Sequence, residues 1–85
     1  MTWTVIVAKA ARKQLARLPA KDQDRIVAAL QAMALNPFSG DIIKLEGEGE
    51  RWRRRVGNYR VFYTLQPAAK TVVISTITRR TSTTY

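Results

Sequence analysis

Residues 51–65 constrain the fold of this chain more than any other part of the sequence. Two runs of strand-forming residues flank the dipeptide Gly57-Asn58, which predicts a β-hairpin closed by a two-residue turn. Glycine at the first turn position suits a type II′ turn, and a type I′ turn is also open. In this register Arg55 lies opposite Arg60, and directly opposed residues share one face of the sheet.

Alternation along the two strands then sorts their side chains onto two faces. One face is mostly apolar and is expected to pack against helices; it holds Trp52, Arg54, Val56, Tyr59, Val61, Tyr63 and Leu65. The other face holds Arg51, Arg53, Arg55, Arg60, Phe62 and Thr64. Arg54 is the exception on the apolar face. A charged side chain on a buried face needs an explanation. Either the Arg54 guanidinium reaches past the edge of the helix into solvent, or a bulge shifts the register of the strand.

The opposed pair Arg55 and Arg60 points to an external anion. Like charges directly opposed in a β-ladder destabilise it by up to about 1 kcal/mol. A bound phosphate would explain such a pair, because guanidinium groups match phosphate oxygens in bidentate fashion. Phe62 on the same face could stack a nucleobase. The alternative is a solvated basic face that only keeps the protein soluble. We favour phosphate binding because the charges cluster on one face with no acid expected nearby.

The rest of the chain predicts a strand near the N-terminus, two helices between that strand and the hairpin, and a last strand after the hairpin. Residues 3–7 are typical of a strand, and apolar residues at helical spacing predict helices over 8–18 and 19–35. A loop follows Asn36-Pro37, with at most one short ordered piece at 42–45, and residues 71–78 are rich in strand formers. The predicted fold is α+β. It has an N-terminal strand, an antiparallel two-helix hairpin and three consecutive antiparallel strands, with the helices packed on one face of a four-stranded sheet.

Composition restricts the chemistry that this fold can carry. A chain of 85 residues predicts a single domain over residues 1–85. The sequence contains neither cysteine nor histidine, which excludes zinc-type sites, cysteine nucleophiles and histidine acid–base pairs. We therefore expect no metal and no cofactor. The lack of cysteine favours a cytoplasmic location over secretion, and no apolar run approaches the length of a membrane span.

Charge is distributed unevenly along the chain. The net charge is +9, from 15 basic and 6 acidic residues, and all six acids lie between Asp22 and Glu50. From Arg51 to the end there are eight basic residues and no acid. A field of this strength attracts nucleic acid, an anionic membrane or an acidic partner protein.

Taken in order, four motifs resemble the RelE/ParE toxins of type II toxin–antitoxin systems. They are Ala-Ala-Arg-Lys-Gln-Leu-Ala-Arg-Leu-Pro at 10–19, Asn-Pro at 36–37 with Lys-Leu-Glu-Gly at 44–47, the hairpin at 52–63, and Ile-Thr-Arg-Arg at 77–80 with a tyrosine soon after. Each motif is weak alone, but their order and spacing are specific for the superfamily. The RelE branch is favoured over the ParE branch.

The resemblance implies a ribosome-dependent endoribonuclease that cleaves messenger RNA in the ribosomal A site. In this reaction the ribose 2′-hydroxyl attacks the adjacent phosphate and leaves a cyclic phosphate. The implied catalytic residues are Arg53, Arg55, Arg60, Arg80 and Tyr85, and the implied RNA-binding residues are Arg51, Phe62, Arg79 and Lys44. Which of Arg79 and Arg80 faces the site is left open.

The proton acceptor of this reaction is also left open. Well-studied RelE toxins have lysines where this chain has Arg53 and Arg55, and arginine essentially cannot lose its proton. Tyr85, a ribosomal group or water could serve as the base instead.

Two other functions compete with RNA cleavage: a ParE-like poison of DNA gyrase without ribonuclease activity, and a non-catalytic basic module that binds nucleic acid. The arginine and tyrosine set favours cleavage, because gyrase poisoning does not need converging phosphate ligands. The expected partners are an acidic antitoxin, RelB-like or of another type, together with the ribosome and messenger RNA. The antitoxin is expected to cover the basic face with a segment that folds on binding.

Overall fold

The computed structural model describes residues 2–45, Gly47, Gly49 and residues 51–79, and the elements follow the predicted order. They are β1 (Thr4–Val7), α1 (Lys9–Ala16), α2 (Ala20–Leu35), β2 (Asp41–Lys44), β3 (Arg51–Val56), β4 (Tyr59–Gln66) and β5 (Thr71–Arg79). A short 3₁₀ turn at Pro67–Ala69 joins the last two strands. The predicted α+β class is confirmed. Within the described ranges, no helix combines the length and apolar character needed to cross a bilayer.

In the described part of the chain the sheet has five strands, in the order β1-β5-β4-β3-β2, rather than the four expected. The additional strand, β2, forms because Asp41–Lys44 pairs antiparallel along the free side of β3. The sheet is also mixed, since β1 runs parallel to β5 while the other neighbours are antiparallel. A parallel pair needs a long crossover, and the two helices supply part of it.

The predicted hairpin register is confirmed. Val56 lies opposite Tyr59, and Arg55 lies opposite Arg60. Gly57 has a φ of +57°, whereas Asn58 is not among the residues with positive φ. A type I′ turn needs positive φ at both central residues, so the turn matches type II′.

The helix-facing side of the sheet forms the core. Apolar side chains of α2 pack there against the predicted apolar face of the hairpin, in a cluster that includes Ile26, Ala29, Leu30, Met33, Val56, Val61 and Leu65. Two tyrosines of β4 fasten the hairpin to both ends of α2. The Tyr59 hydroxyl donates to Asp22 Oδ2 in the first helical turn at 2.7 Å. The Tyr63 hydroxyl donates to the carbonyl of Pro37, just beyond the helix, at 3.0 Å.

Helix α1 covers β5 beyond the point where β1 ends. Val7, the last residue of β1, pairs with Ile74, so the following residues of β5 need another partner on that side. The backbone N–H of Ile77 donates to Gln14 Oε1 at 2.7 Å. This side chain therefore takes the place of a strand carbonyl.

Candidate nucleic-acid interface

The sheet face that points away from the helices carries the predicted arginine cluster. We call it the arginine face and define it by Arg51, Arg53, Arg55, Arg60 and Phe62. The alternation of β3 and β4 in their confirmed register places these side chains together. The strand β5 adds Thr76 opposite Phe62 and Thr78 opposite Arg60. The face therefore combines guanidinium groups and one aromatic ring, with two threonine side chains next to them on β5.

Arg55 and Arg60 are the directly opposed pair at the turn end of this face. Opposed residues in an antiparallel pair have Cα atoms about 4.5–5.5 Å apart, so both guanidinium groups can converge on one phosphate. The Nε atoms of Arg53 and Arg60 are covered, and neither finds a hydrogen-bond partner in the described part of the chain. Unpartnered buried donors are costly. An anion on this face would offset the repulsion between these cations.

At the other end of the face, Arg51 and Phe62 form one unit. The Arg51 guanidinium carbon lies 5.3 Å from the centroid of the Phe62 ring, which is within the range of a cation–π interaction. The pair gives the face a flat, cationic surface. Flat aromatic and guanidinium groups are the ones on which unpaired RNA bases stack.

An acidic residue also lies on this face, so the expectation of a face without nearby acid is wrong. Asp41 opens β2 opposite Arg55, and its Oδ2 lies 3.7 Å from Arg55 Nε. Asp41 was not among the predicted site residues. No local pattern pointed to it, because a strand of four residues is too short to show its alternation.

Arg54 reaches past the helix edge, which was the first of the two alternatives predicted for it. There is no bulge in the hairpin, and Arg54 Nη1 donates to the Ala29 carbonyl at 3.4 Å and to Ser39 Oγ at 3.5 Å. Gly40 leaves room for this side chain: it has a φ of +83°, and a Cβ there would lie 2.7 Å from Arg54 Cζ. Arg54 thus packs against the loop that leads into Asp41.

Two residues predicted to bind RNA lie on the other side of the sheet. Lys44 is opposite Trp52, and its Nζ lies 6.0 Å from the centroid of that ring. Arg79 is opposite Tyr59. Trp52 and Tyr59 both belong to the helix-facing side, so the structure does not bring Lys44 or Arg79 to the arginine face.

A bulge in β5 causes the placement of Arg79. Phe62 pairs with Thr76 while Tyr63 pairs with Ile74, which leaves Ser75 as an extra residue. The Ser75 hydroxyl donates to the Phe62 carbonyl at 3.1 Å. One extra residue reverses the alternation that follows it, so Thr78 rather than Arg79 joins Arg60. The predicted catalytic residues Arg80 and Tyr85 lie outside the described residues.

The described tyrosines of β4 serve as hydrogen-bond donors on the helix-facing side. The hydrogen bond to Asp22 raises the pKa of Tyr59; burial and the Asp22 charge act in the same direction, and Arg79 opposes them. Burial raises the pKa of Tyr63 to about 12. Neither hydroxyl is therefore a proton acceptor at neutral pH. The described residues also contain no group of three or more Cys, His, Asp or Glu placed to hold a metal ion.

Comparison with known proteins identifies similar sequences and folds. The sequence model of the family described as the ParE toxin of type II toxin–antitoxin systems matches residues 5–83. Comparison with curated protein sequences finds no significant match.

Three solved structures illustrate the similarity. The archaeal RelE–RelB complex from Pyrococcus horikoshii is 31% identical, with a TM-score of 0.85 over 98% of this chain and 100% of that one. The RelBE2 toxin–antitoxin complex from Mycobacterium tuberculosis is 26% identical, with a TM-score of 0.84 over 94% of this chain and 100% of that one. The isolated RelE toxin of Escherichia coli shares the fold at 13% identity, with a TM-score of 0.80 over 95% and 87% of the two chains.

Proposed function

Since this chain belongs to the RelE/ParE superfamily of toxins from type II toxin–antitoxin systems, we propose that it inhibits translation by cleaving messenger RNA on the ribosome. The observation that carries the proposal is the arginine face, where Arg55 and Arg60 are directly opposed with Arg53 and Phe62 beside them. Opposed cations are unfavourable within the protein, and they suit a phosphodiester.

The proposed reaction is attack of a ribose 2′-hydroxyl on the adjacent phosphate. Such phosphoryl transfer depends on in-line positioning and on stabilisation of the charge that builds up on the phosphate oxygens. Arg53, Arg55 and Arg60 supply fixed positive charge for those oxygens, and Phe62 supplies a stacking surface for a neighbouring base. Arg80 and Tyr85 are proposed to complete the site from the C-terminal segment.

The proposed partners follow from the family and the charge. Two of the relatives were solved as RelE–RelB and RelBE2 toxin–antitoxin complexes. We propose an acidic, RelB-like antitoxin that neutralises the +9 charge when it covers the basic surface. Ribosomes and messenger RNA are the proposed targets, which places the toxin in the cytoplasm.

The match to the ParE family model supports a second candidate function, which is poisoning of DNA gyrase without RNA cleavage. Primer extension on actively translated messages separates the two functions. The proposed function predicts new 5′ ends within A-site codons. Gyrase-linked DNA breaks with intact messages would overturn it.

Arg60→Ala tests whether the arginine face is the site. Removing one preorganised donor to a developing oxyanion lowers the rate about 10²–10³-fold, so this variant should relieve growth arrest. Its thermal stability should be unchanged or slightly higher, because the repulsion from Arg55 is gone. Arg12→Ala is the control. It removes an equal charge from the exposed surface of α1 and should remain toxic. If Arg60→Ala were as toxic as the wild type, the arginine face would not be the site.

A further inference from the structure

Attack by a 2′-hydroxyl needs a group that accepts its proton, and the arginine face offers few. Arginine side chains stay protonated and cannot act as bases. Phe62 has no polar atom, and the hydroxyls of Thr76 and Thr78 are poor proton acceptors at neutral pH. Tyr59 and Tyr63 donate their hydroxyl protons on the opposite side of the sheet.

Asp41 is the one carboxylate that the described residues place on this face. The other acids in the described ranges, Asp22 and Asp24, belong to α2 on the helix-facing side. Asp41 is opposite Arg55, and Arg55 is opposite Arg60. One carboxylate and two guanidinium groups therefore form a row across three neighbouring strands. A phosphate held between the arginines has the carboxylate about one and a half strand spacings away, roughly 7 Å.

The contact between Asp41 and Arg55 leaves both groups available to a substrate. The Asp41 oxygen lies 3.7 Å from Nε of Arg55, and the two side chains are 59% and 40% exposed. An exposed pair of this length contributes little to stability, so exchanging it for phosphate contacts costs little. Because the contact is made through Nε, the two terminal nitrogens of the guanidinium can still bind phosphate oxygens.

Binding alone does not explain a carboxylate at this position. A negative charge about one and a half strand spacings from a phosphate lowers the affinity for RNA roughly threefold, even in water. A carboxylate here opposes the attraction that the arginines provide. It does supply the one property that they lack, which is an oxygen lone pair that can accept a proton during the reaction.

We propose that Asp41 is the general base of this toxin, an inference that rests on the proposed ribonuclease function. The Asp41 carboxylate takes the proton of the ribose 2′-hydroxyl while the 2′-oxygen forms its bond to phosphorus. The bond from phosphorus to the 5′-oxygen breaks, and the 5′-oxygen leaves with a proton from water. The products are a 2′,3′-cyclic phosphate and a 5′-hydroxyl, and the Asp41 carboxylic acid returns its proton to solvent.

Single-turnover cleavage of messenger RNA on programmed ribosomes tests the proposal with Asp41→Asn and the control Asp24→Asn. Both variants are nearly isosteric and both raise the net charge from +9 to +10. Removing a general base slows the reaction about 10²–10⁴-fold, which we expect for Asp41→Asn at saturating toxin. Its ribosome binding should be equal to that of the wild type or several-fold tighter. Asp24→Asn should cleave at the wild-type rate.

A substrate with sulfur in place of the leaving 5′-oxygen distinguishes a general base at Asp41 from a proton donor to the leaving group. A 5′-thiolate leaves without being protonated, so a variant that has lost only the donation of a proton to the leaving group cleaves this substrate at the wild-type rate. A variant that has lost the general base still cleaves it slowly, because the 2′-hydroxyl must still lose its proton. Asp41→Asn should stay slow. Three results for Asp41→Asn would each overturn its role as the base. They are a wild-type rate on the sulfur substrate, a wild-type rate on the normal substrate, and weaker ribosome binding with an unchanged cleavage rate. If the wild-type protein does not cleave messenger RNA, the proposed ribonuclease function itself is overturned, which these results for Asp41→Asn would not do.

Discussion

Replacing Tyr63 with phenylalanine tests how the hairpin that carries the arginine face is fastened to the loop after α2. Tyr63 is fully buried, and its hydroxyl donates to the Pro37 carbonyl at 3.0 Å. Tyr63→Phe keeps the ring but leaves that carbonyl without this donor. An unsatisfied buried acceptor costs about 1–3 kcal/mol. We expect the free energy of unfolding to fall by about 1–2 kcal/mol at pH 7.

The same substitution should change how stability depends on pH. Burial raises the pKa of Tyr63 from 10.0 to about 12, so the folded state disfavours the tyrosinate. The contribution of the hydroxyl is complete below pH 10 and is lost as the pH rises towards 12. One pKa unit corresponds to about 1.4 kcal/mol. By about pH 11 the wild type has therefore lost about 1.4 kcal/mol that Tyr63→Phe does not lose, and the two proteins should be nearly equal in stability.

Urea denaturation followed by circular dichroism at pH 7, 9, 10 and 11 measures this difference. Tyr59→Phe is the control, because it removes another tyrosine hydroxyl of the same strand but keeps Tyr63. Its stability should still decline between pH 10 and 11. The reasoning is refuted if Tyr63→Phe is as stable as the wild type at pH 7, or if the gap between them does not narrow above pH 10.

Two further substitutions test contacts that position the site. Gly40→Ala should cost about 2 kcal/mol. About 1 kcal/mol comes from positive-φ strain, and about 1 kcal/mol arises because a Cβ only 2.7 Å from Arg54 Cζ moves the guanidinium away from the Ala29 carbonyl. Gly47→Ala, at φ +73° and with no atom of the described residues within 4 Å of the added Cβ, should cost only about 1 kcal/mol. Equal shifts in thermal unfolding for the two variants would count against the Arg54 contact. Gln14→Ala should cost about 1–2 kcal/mol, because the Ile77 N–H loses its acceptor. Faster hydrogen exchange at the Ile77 amide checks this, and unchanged protection would contradict it.

The hairpin and the composition of its two faces were predictable from sequence. A two-residue turn at Gly57-Asn58 leaves a single register for the flanking strands, and that register places Arg55 opposite Arg60 as the structure shows. The outward position of four arginines and Phe62 then follows from the period of two along a strand. These relations span few residues, so the local sequence contains the information that they need.

The rest of the arginine face depended on contacts between distant parts of the chain. Asp41 joins it because β2 pairs with β3, and four residues carry too little pattern to reveal that pairing. Arg79 is kept from it by the extra residue Ser75 in β5, which reverses the alternation beyond it. The hairpin strands thus set which of their own side chains face outward. Which neighbours join them was set by strand pairing and a bulge, both of which arise only when the sheet assembles and packs against the helices.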